Sequence, residues 1–153
     1  MSAVTPEPRS PTSTAIARTL GFEIVEAQPG RAALEVDADP ARHGNQQGTV
    51  HGGFLVELLD AAMGTAQESV VAAGESFATL EIKVNFVRPV WKSRLRAEVQ
   101  RVHPGRTISY YEGRVLNDTG KVVAHASSTV MTLTGARAEG RLPGYRSLQK
   151  SQP

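Results

Sequence analysis

The sequence predicts an α+β fold of two layers, one long helix packed on one face of an antiparallel sheet. Three observations carry that expectation. The stretch from Gly53 to about Val71 is apolar at helical spacing. The stretches around it alternate apolar and polar residues with the period of a strand. The links between those strands are short, which favours antiparallel neighbours, and one helix can cover only one face of one sheet. The other face is left to solvent or to another subunit.

Taken in order, FEIVEA, QPG and RAALEVDA form a strand, a turn and a strand, with Pro29 and Gly30 marking the turn. A polar loop runs from about Asp39 to Gly53, and the helix follows, with Gly74 as its stop signal. In ATLEIKVNFVRPV, Leu80, Ile82, Val84 and Phe86 alternate with Thr79, Glu81, Lys83 and Asn85 until Pro89 ends the strand. SRLRAEVQRV alternates again through Leu95, Ala97 and Val99. HPGR turns the chain into RTISYYEGRVL, and NDTG turns it into KVVAHASSTVMTLT. On the helix, Phe54, Leu55, Val56, Leu58, Leu59, Ala62, Met63 and Ala66 fill an arc of roughly 200° at 100° per residue. Covering one sheet needs only a little over about 100°. The surplus implies a second contact, either a neighbouring subunit or deep wrapping by a curved sheet. Asp60 falls at the edge of this arc.

The 153 residues suit one domain, and 40% hydrophobic with 21% charged residues is an ordinary globular profile. Residues 1–15, rich in Pro, Ser and Thr, are expected to be a disordered tail, 16–134 the folded domain, and 135–153 a basic disordered tail. No apolar run reaches about 18 residues and the first residues lack a signal-peptide pattern, so no membrane span is expected and the cytoplasm is the expected location. With no cysteine there is no thiolate nucleophile, disulfide or Cys-based zinc site. Residues 16–82 carry 3 basic and 10 acidic side chains, and residues 83–134 carry 9 basic and 3 acidic ones. The basic half suits either an anionic ligand or strands with solvated Arg and Lys faces. Aromatic residues make up 5%, too few to interleave with the basic ones as a nucleic-acid surface would require.

The chemistry concentrates in GNQQGTVHGGFLVELLDAAMG, Gly44 to Gly64. The first N–H groups of a helix lack internal partners and favour negative charge. His51, Gly52 and Gly53 stand there, and a glycine lets a ligand approach the backbone. Such N–H groups can stabilise the oxyanion formed when a carbonyl is attacked. Asp60, the one acid in the helix's apolar neighbourhood, can act as a general base or attack a carbonyl directly. It stands eight residues after Gly52, about 12 Å along the axis at 1.5 Å per residue. One carbonyl cannot touch both within a chain, so a shared site requires Asp60 from a second subunit and hence a symmetric dimer. His43, His103 and His125 show no metal-ligand spacing, and Ser127 and Ser128 lack a nucleophile signature.

The pattern N-x-x-G-x-x-H-G-G-x-x-x-x-x-x-D, Asn45 through Asp60, followed by NFVRP, resembles the hotdog-fold acyl-CoA thioesterases. It is most similar to the PaaI-like group of the 4-hydroxybenzoyl-CoA thioesterase superfamily, over about residues 16–134. The resemblance implies a long helix wrapped by a curved antiparallel sheet, paired into a homodimer and often into a dimer of dimers. It implies hydrolysis of an acyl-CoA or aryl-CoA to a carboxylic acid and free coenzyme A, with no separate cofactor and no metal. By position, the Gly52 N–H would polarise the thioester carbonyl, Asn45 would position substrate or water, His51 would support the loop, and Asp60 of the partner subunit would be base or nucleophile. Thr79 falls where relatives carry a hydroxyl that holds water. Arg88, His103 and Arg106 are candidates for the coenzyme A phosphates. A non-catalytic acyl-CoA sensor on the same fold is the alternative.

Overall fold

A computed structural model of the protein describes residues 14–141. The bulk of both expected tails lies outside the described residues. The elements are α1 (Ala15–Leu20), β1 (Glu23–Gln28), β2 (Arg31–Ala38), α2 (Pro40–His43), α3 (Gly52–Glu68), β3 (Ser76–Phe86), β4 (Ser93–His103), β5 (Ile108–Leu116) and β6 (Val122–Leu133), followed by a 3-10 turn at Gly135–Arg137. All strands pair antiparallel in one six-stranded sheet of order β1-β2-β4-β5-β6-β3, with α3 on one face. This is the predicted α+β layout and the hotdog arrangement that the resemblance implies.

Two short helices are not marked by sequence periodicity: α1 begins at the last residue of the expected tail and runs into the domain, and α2 lies in the expected polar loop. Thr14 caps α1 by accepting the Ala17 N–H at 3.2 Å, and Gly21 ends it in the left-handed region at φ 84°. Asp39 caps α2 by accepting the Ala41 N–H at 2.9 Å, with Pro40 in the first turn. Helices of six and four residues are too short to display a period, so capping chemistry is their only signal.

The apolar arc of α3 lies where the sequence places it. Phe54, Leu55, Leu58, Leu59, Ala62, Met63 and Ala66 are buried, against Leu34, Val36, Leu95, Ala97 and Val115 of the sheet among others. Val56 is only half-buried. The helix stops at Glu68, earlier than Gly74 suggested. The Ser69 hydroxyl lies 2.6 Å from the Ala66 carbonyl and 3.0 Å from that of Gln28, and accepts the Gly30 N–H at 3.0 Å. The helix end is thus fastened to the β1–β2 turn.

Deeper in the core the Tyr111 hydroxyl donates to Gln67 Oε1 at 2.7 Å, and Gln67 Nε2 donates to Thr132 Oγ1 at 3.0 Å. Burial pushes the Tyr111 phenol up to about 12. Tyr111→Phe strips Gln67 Oε1 of its donor in a buried setting, so it is expected to cost about 1–3 kcal/mol in urea unfolding.

Two expectations for the strands need correction. β3 and β4 are not neighbours, although only residues 87–92 separate them; β3 lies beyond β6 at the edge. That link, about 20 Å when extended, suffices to pass three strand spacings of about 4.8 Å each. Pro89 keeps it out of the ladder, and Val90 bonds instead to the loop before α3, accepting the Val50 N–H at 2.7 Å. The alternation in β3 also breaks. A bulge between Thr79 and Glu81 turns Leu80 outward, 55% exposed, and puts Thr79 on the helix side with Ile82 and Val84.

The outer face of the sheet explains the charge asymmetry. Arg96 reaches Glu26, Glu35 and Glu98 at 3.2, 2.9 and 2.8 Å, and Arg94 reaches Glu35 and Asp37 at 3.0 and 3.2 Å. Acids of β1 and β2 therefore pair with arginines of β4. The hydrogen bond from Arg96 holds both Glu35 and Glu98 below the usual carboxylate range. For Arg94 and Arg96 the neighbours are acids of the strands themselves.

Candidate active site

The loop before α3 is folded by its own side chains. Asn45 Oδ1 accepts the N–H groups of Gln47 and Thr49 at 2.9 and 3.2 Å, and its Nδ2 donates to Thr49 Oγ1 at 3.0 Å. Gly48, at φ 78°, closes the turn with its N–H on the Asn45 carbonyl. The Asn45 side chain thereby holds its own loop through Oδ1 and one of its two amide N–H donors. A bridge between Gly44 and Val50 and a 2.8 Å bond from the His51 N–H to the His43 carbonyl deliver the chain to the helix start.

His51 caps α3. Its Nδ1 accepts the Gly53 N–H at 2.8 Å, and its carbonyl accepts the Phe54 N–H at 3.0 Å. The Gly52 N–H has no acceptor among the described residues. That leaves a directed donor at the positive end of a 17-residue helix. A methyl group on Gly52 would stand 3.0 Å from the Phe86 ring, and one on Gly53 would stand 2.9 Å from His51 Nδ1. Both glycines are there for close approach, one to an aromatic ring and one to the capping imidazole.

Asp60 is half-buried, and Thr79 Oγ1 donates to its Oδ1 at 2.9 Å. The β3 bulge makes this contact possible, because regular alternation would point Thr79 away from the helix. Thr79 and Phe86 both belong to β3, the edge strand whose outer side is unpaired among the described residues. The Gly52 donor and the Asp60 carboxylate therefore border one free edge.

The three residues considered for coenzyme A phosphates do not come together within one chain. Arg88, whose Nη1 donates to the Val122 carbonyl at 2.7 Å, lies at the end of the sheet nearest the start of α3. His103 and Arg106 flank the β4–β5 turn at the opposite end, where β4 abuts the β1–β2 turn that holds the end of α3. Of the other histidines, His43 is buried, stacked on Phe54 at 4.0 Å, with Nδ1 accepting the Asp39 N–H and Nε2 2.8 Å from the Leu20 carbonyl. It clamps α1 and α2 onto α3. His125 lies on the outer face of the sheet.

Glu57, which the helical spacing sets on the polar side of α3, is half-buried beside Asp60. Its position three residues before Asp60 and four after Gly53 was the available signal. Burial first, and then the Asp60 charge, raise its pKa above the ordinary 4.5. A raised carboxyl stabilises the fold fully below its unfolded value, and that contribution is lost as pH climbs through the raised folded value. Glu57→Gln is therefore expected to melt higher than the parent at pH 7, with the difference closing towards pH 4. Equal thermal midpoints across that range would contradict the placement.

A cavity of about 380 Å³ opens between α1, α2 and the start of α3, walled by Ile16, Leu20 and Phe54 with His51 and Glu57. A hollow of equal volume on the outer face of the sheet is lined by Glu98, Glu112, Arg114 and His125. Its Glu98 and Arg114 are paired with each other and it has no helix end. Of the two, the first borders the start of α3, through His51 and Gly53.

One helix on a six-stranded antiparallel sheet, with an open N–H at its start and a carboxylate on its flank, is the layout of the hotdog-fold thioesterases that the sequence resembles. The Thioesterase superfamily matches residues 47–124. The chain is 24% identical over 112 residues to the 1,4-dihydroxy-2-naphthoyl-CoA hydrolase of Listeria monocytogenes, covering 73% of this chain and 90% of that one. The solved structure of the E. coli PaaI protein from the phenylacetic acid degradation operon superposes with TM-score 0.74 at 27% identity, covering 80% of this chain and 86% of that one. A thioesterase family protein from Silicibacter pomeroyi superposes with TM-score 0.73 at 32% identity, covering 80% and 91%. The chain belongs to the thioesterase superfamily, within the hotdog-fold, PaaI-like acyl-CoA thioesterase group, and is a thioester hydrolase. Among the described residues no helix is long and apolar enough to cross a membrane.

Proposed function

We propose that the protein hydrolyses an acyl-CoA or aryl-CoA to the carboxylic acid and free coenzyme A, in a site shared by two subunits. The observation that carries this reading is the Asp60–Thr79 contact on the unpaired edge strand that also bears Phe86, beside Gly52. A two-fold antiparallel pairing of β3 centred between Ile82 and Lys83 sets Phe86 of one chain opposite Thr79 of the other. The Gly52 N–H of one subunit then faces Asp60 of the partner subunit, resolving the separation of about 12 Å within a chain. Exposed Leu80, Phe86 and Val87 supply apolar surface for the pairing.

The thioester carbonyl accepts the Gly52 N–H. Asp60 of the partner subunit either takes a proton from water as the oxygen attacks and returns it to the departing sulfur, or attacks the carbonyl itself to form a mixed anhydride that water then opens, the thiolate taking its proton from solvent. The tetrahedral intermediate is held by the helix N-terminus and collapses, expelling the coenzyme A thiolate, which leaves as the thiol. Asn45 and His51 keep the loop in register, and Arg88 stands at the end where the nucleotide would emerge. Any contribution of His103 and Arg106 would come from another subunit.

A substrate panel of phenylacetyl-, 4-hydroxybenzoyl-, 1,4-dihydroxy-2-naphthoyl- and straight-chain acyl-CoA tests the activity through release of free thiol. Release from none of them would favour the acyl-CoA sensor. The shared site has a separate test. Mixed dimers of an Asp60→Ala subunit and a Gly52→Pro subunit are expected to regain up to about half the wild-type activity per dimer, because one composite site is intact. No recovery in isolated mixed dimers would place both groups in a single-chain site.

A further inference from the structure

We propose that Trp91 is the stacking platform for the adenine ring of coenzyme A, an assignment that rests on the acyl-CoA reading for its choice of ligand. Trp91 is 60% exposed, the highest value for a large hydrophobic side chain among the described residues. Tryptophan is on average highly buried, so an indole left in water marks a contact still to be made. The strand pairing proposed for β3 does not account for it. β3 ends at Phe86 and β4 begins at Ser93, and Trp91 stands on the link beyond Pro89.

That link is fixed to the active-site loop. The carbonyl of Val90, next to Trp91, accepts the N–H of Val50, next to His51, at 2.7 Å. The link's other end leaves from Phe86, whose ring covers Gly52. Trp91 stands five positions beyond Phe86, a reach of up to about 17 Å. Coenzyme A likewise separates its thioester from its adenine by an extended pantetheine arm and a diphosphate.

The charges flanking the indole fit the same ligand. Arg88 is exposed and spends one guanidinium nitrogen on the Val122 carbonyl. The Lys92 side chain is 83% exposed, with Asp39 at 3.5 Å as a loose partner. An exposed aromatic residue that stands between two exposed cations in the sequence suits a base attached to phosphates.

Trp91 is the chain's single tryptophan, so its fluorescence reports this residue alone. Titration of the full-length protein with free coenzyme A, and with adenosine 3′,5′-bisphosphate as the isolated nucleotide, is expected to quench the indole saturably. Pantetheine, which lacks the base, is expected to leave it unchanged. In turnover, the preference for an acyl-CoA over the same acyl-pantetheine, as a ratio of kcat/KM, is expected to fall about tenfold in Trp91→Ala, through KM. Trp91→Phe should recover most of it. Quenching by pantetheine alone, or by none of the three, overturns the proposal. So does an unchanged ratio in Trp91→Ala with a changed oligomeric state, which would make the indole a subunit contact. Quenching by the nucleotide without turnover of any thioester would uphold the platform while removing the thioesterase reading.

Discussion

Asp60→Asn is expected to lower kcat about 10²- to 10⁴-fold, the range for loss of a positioned general base, with the fold intact. The replacement is nearly isosteric, and Thr79 Oγ1 can donate to the asparagine carbonyl as it does to Asp60 Oδ1 at 2.9 Å. Circular dichroism and the thermal midpoint should therefore stay near those of the parent, and any activity loss is chemical. The change also removes the charge that helps raise Glu57, so the stability gain of Glu57→Gln at pH 7 should shrink in the Asp60→Asn background. Near wild-type turnover by the variant would remove Asp60 from the chemistry. Single turnover in ¹⁸O-labelled water tests for a covalent route. Label in the Asp60 carboxylate after one cycle requires a mixed anhydride opened by water at the aspartyl carbonyl, because a general base never incorporates it.

How much of this was legible beforehand depended on the length of the pattern. The 17-residue helix and the regular strand β4 repeat their period often enough to disclose their buried faces, and Leu95, Ala97 and Val99 are all buried. α1 and α2 complete one or two turns, and their signals were the caps Thr14 and Asp39, not the spacing. The bulge at Leu80 is invisible to periodicity because the letters continue to alternate through it. Only pairing with β6 reveals that Thr79 has changed face. Strand order escaped for a related reason. A short link predicts adjacency only if both strands stay in the ladder, and Pro89 takes the β3–β4 link out of it. In the site, the separation of Gly52 and Asp60 followed from helix geometry alone. Glu57 was passed over because a charged residue near the polar arc looks solvated until the packing of α1 and α2 around the helix start is known.

Gly52→Pro is expected to reduce kcat about 10²- to 10³-fold, the cost of deleting one oxyanion donor, without unfolding the helix. Proline is tolerated at the first helical position because that N–H has no partner inside the helix. Gly52 is that position, and its N–H has no acceptor among the described residues. The residue before a proline must be extended, and His51 already is, at φ −64° and ψ 134°. The remaining obstacle is steric, since a Cβ at 52 comes within 3.0 Å of the Phe86 ring. Phe86 is 54% exposed and can swing aside, but its displacement could itself disturb the site. Gly52→Ala isolates that part, because it adds the same Cβ and keeps the N–H. The prediction is therefore a difference. The alanine variant should lose much less than the proline variant, and the gap between them in kcat is the contribution of one backbone hydrogen bond. Equal losses would mean that crowding at Phe86, and not the missing donor, disables the enzyme, and the helix start would then have no oxyanion role.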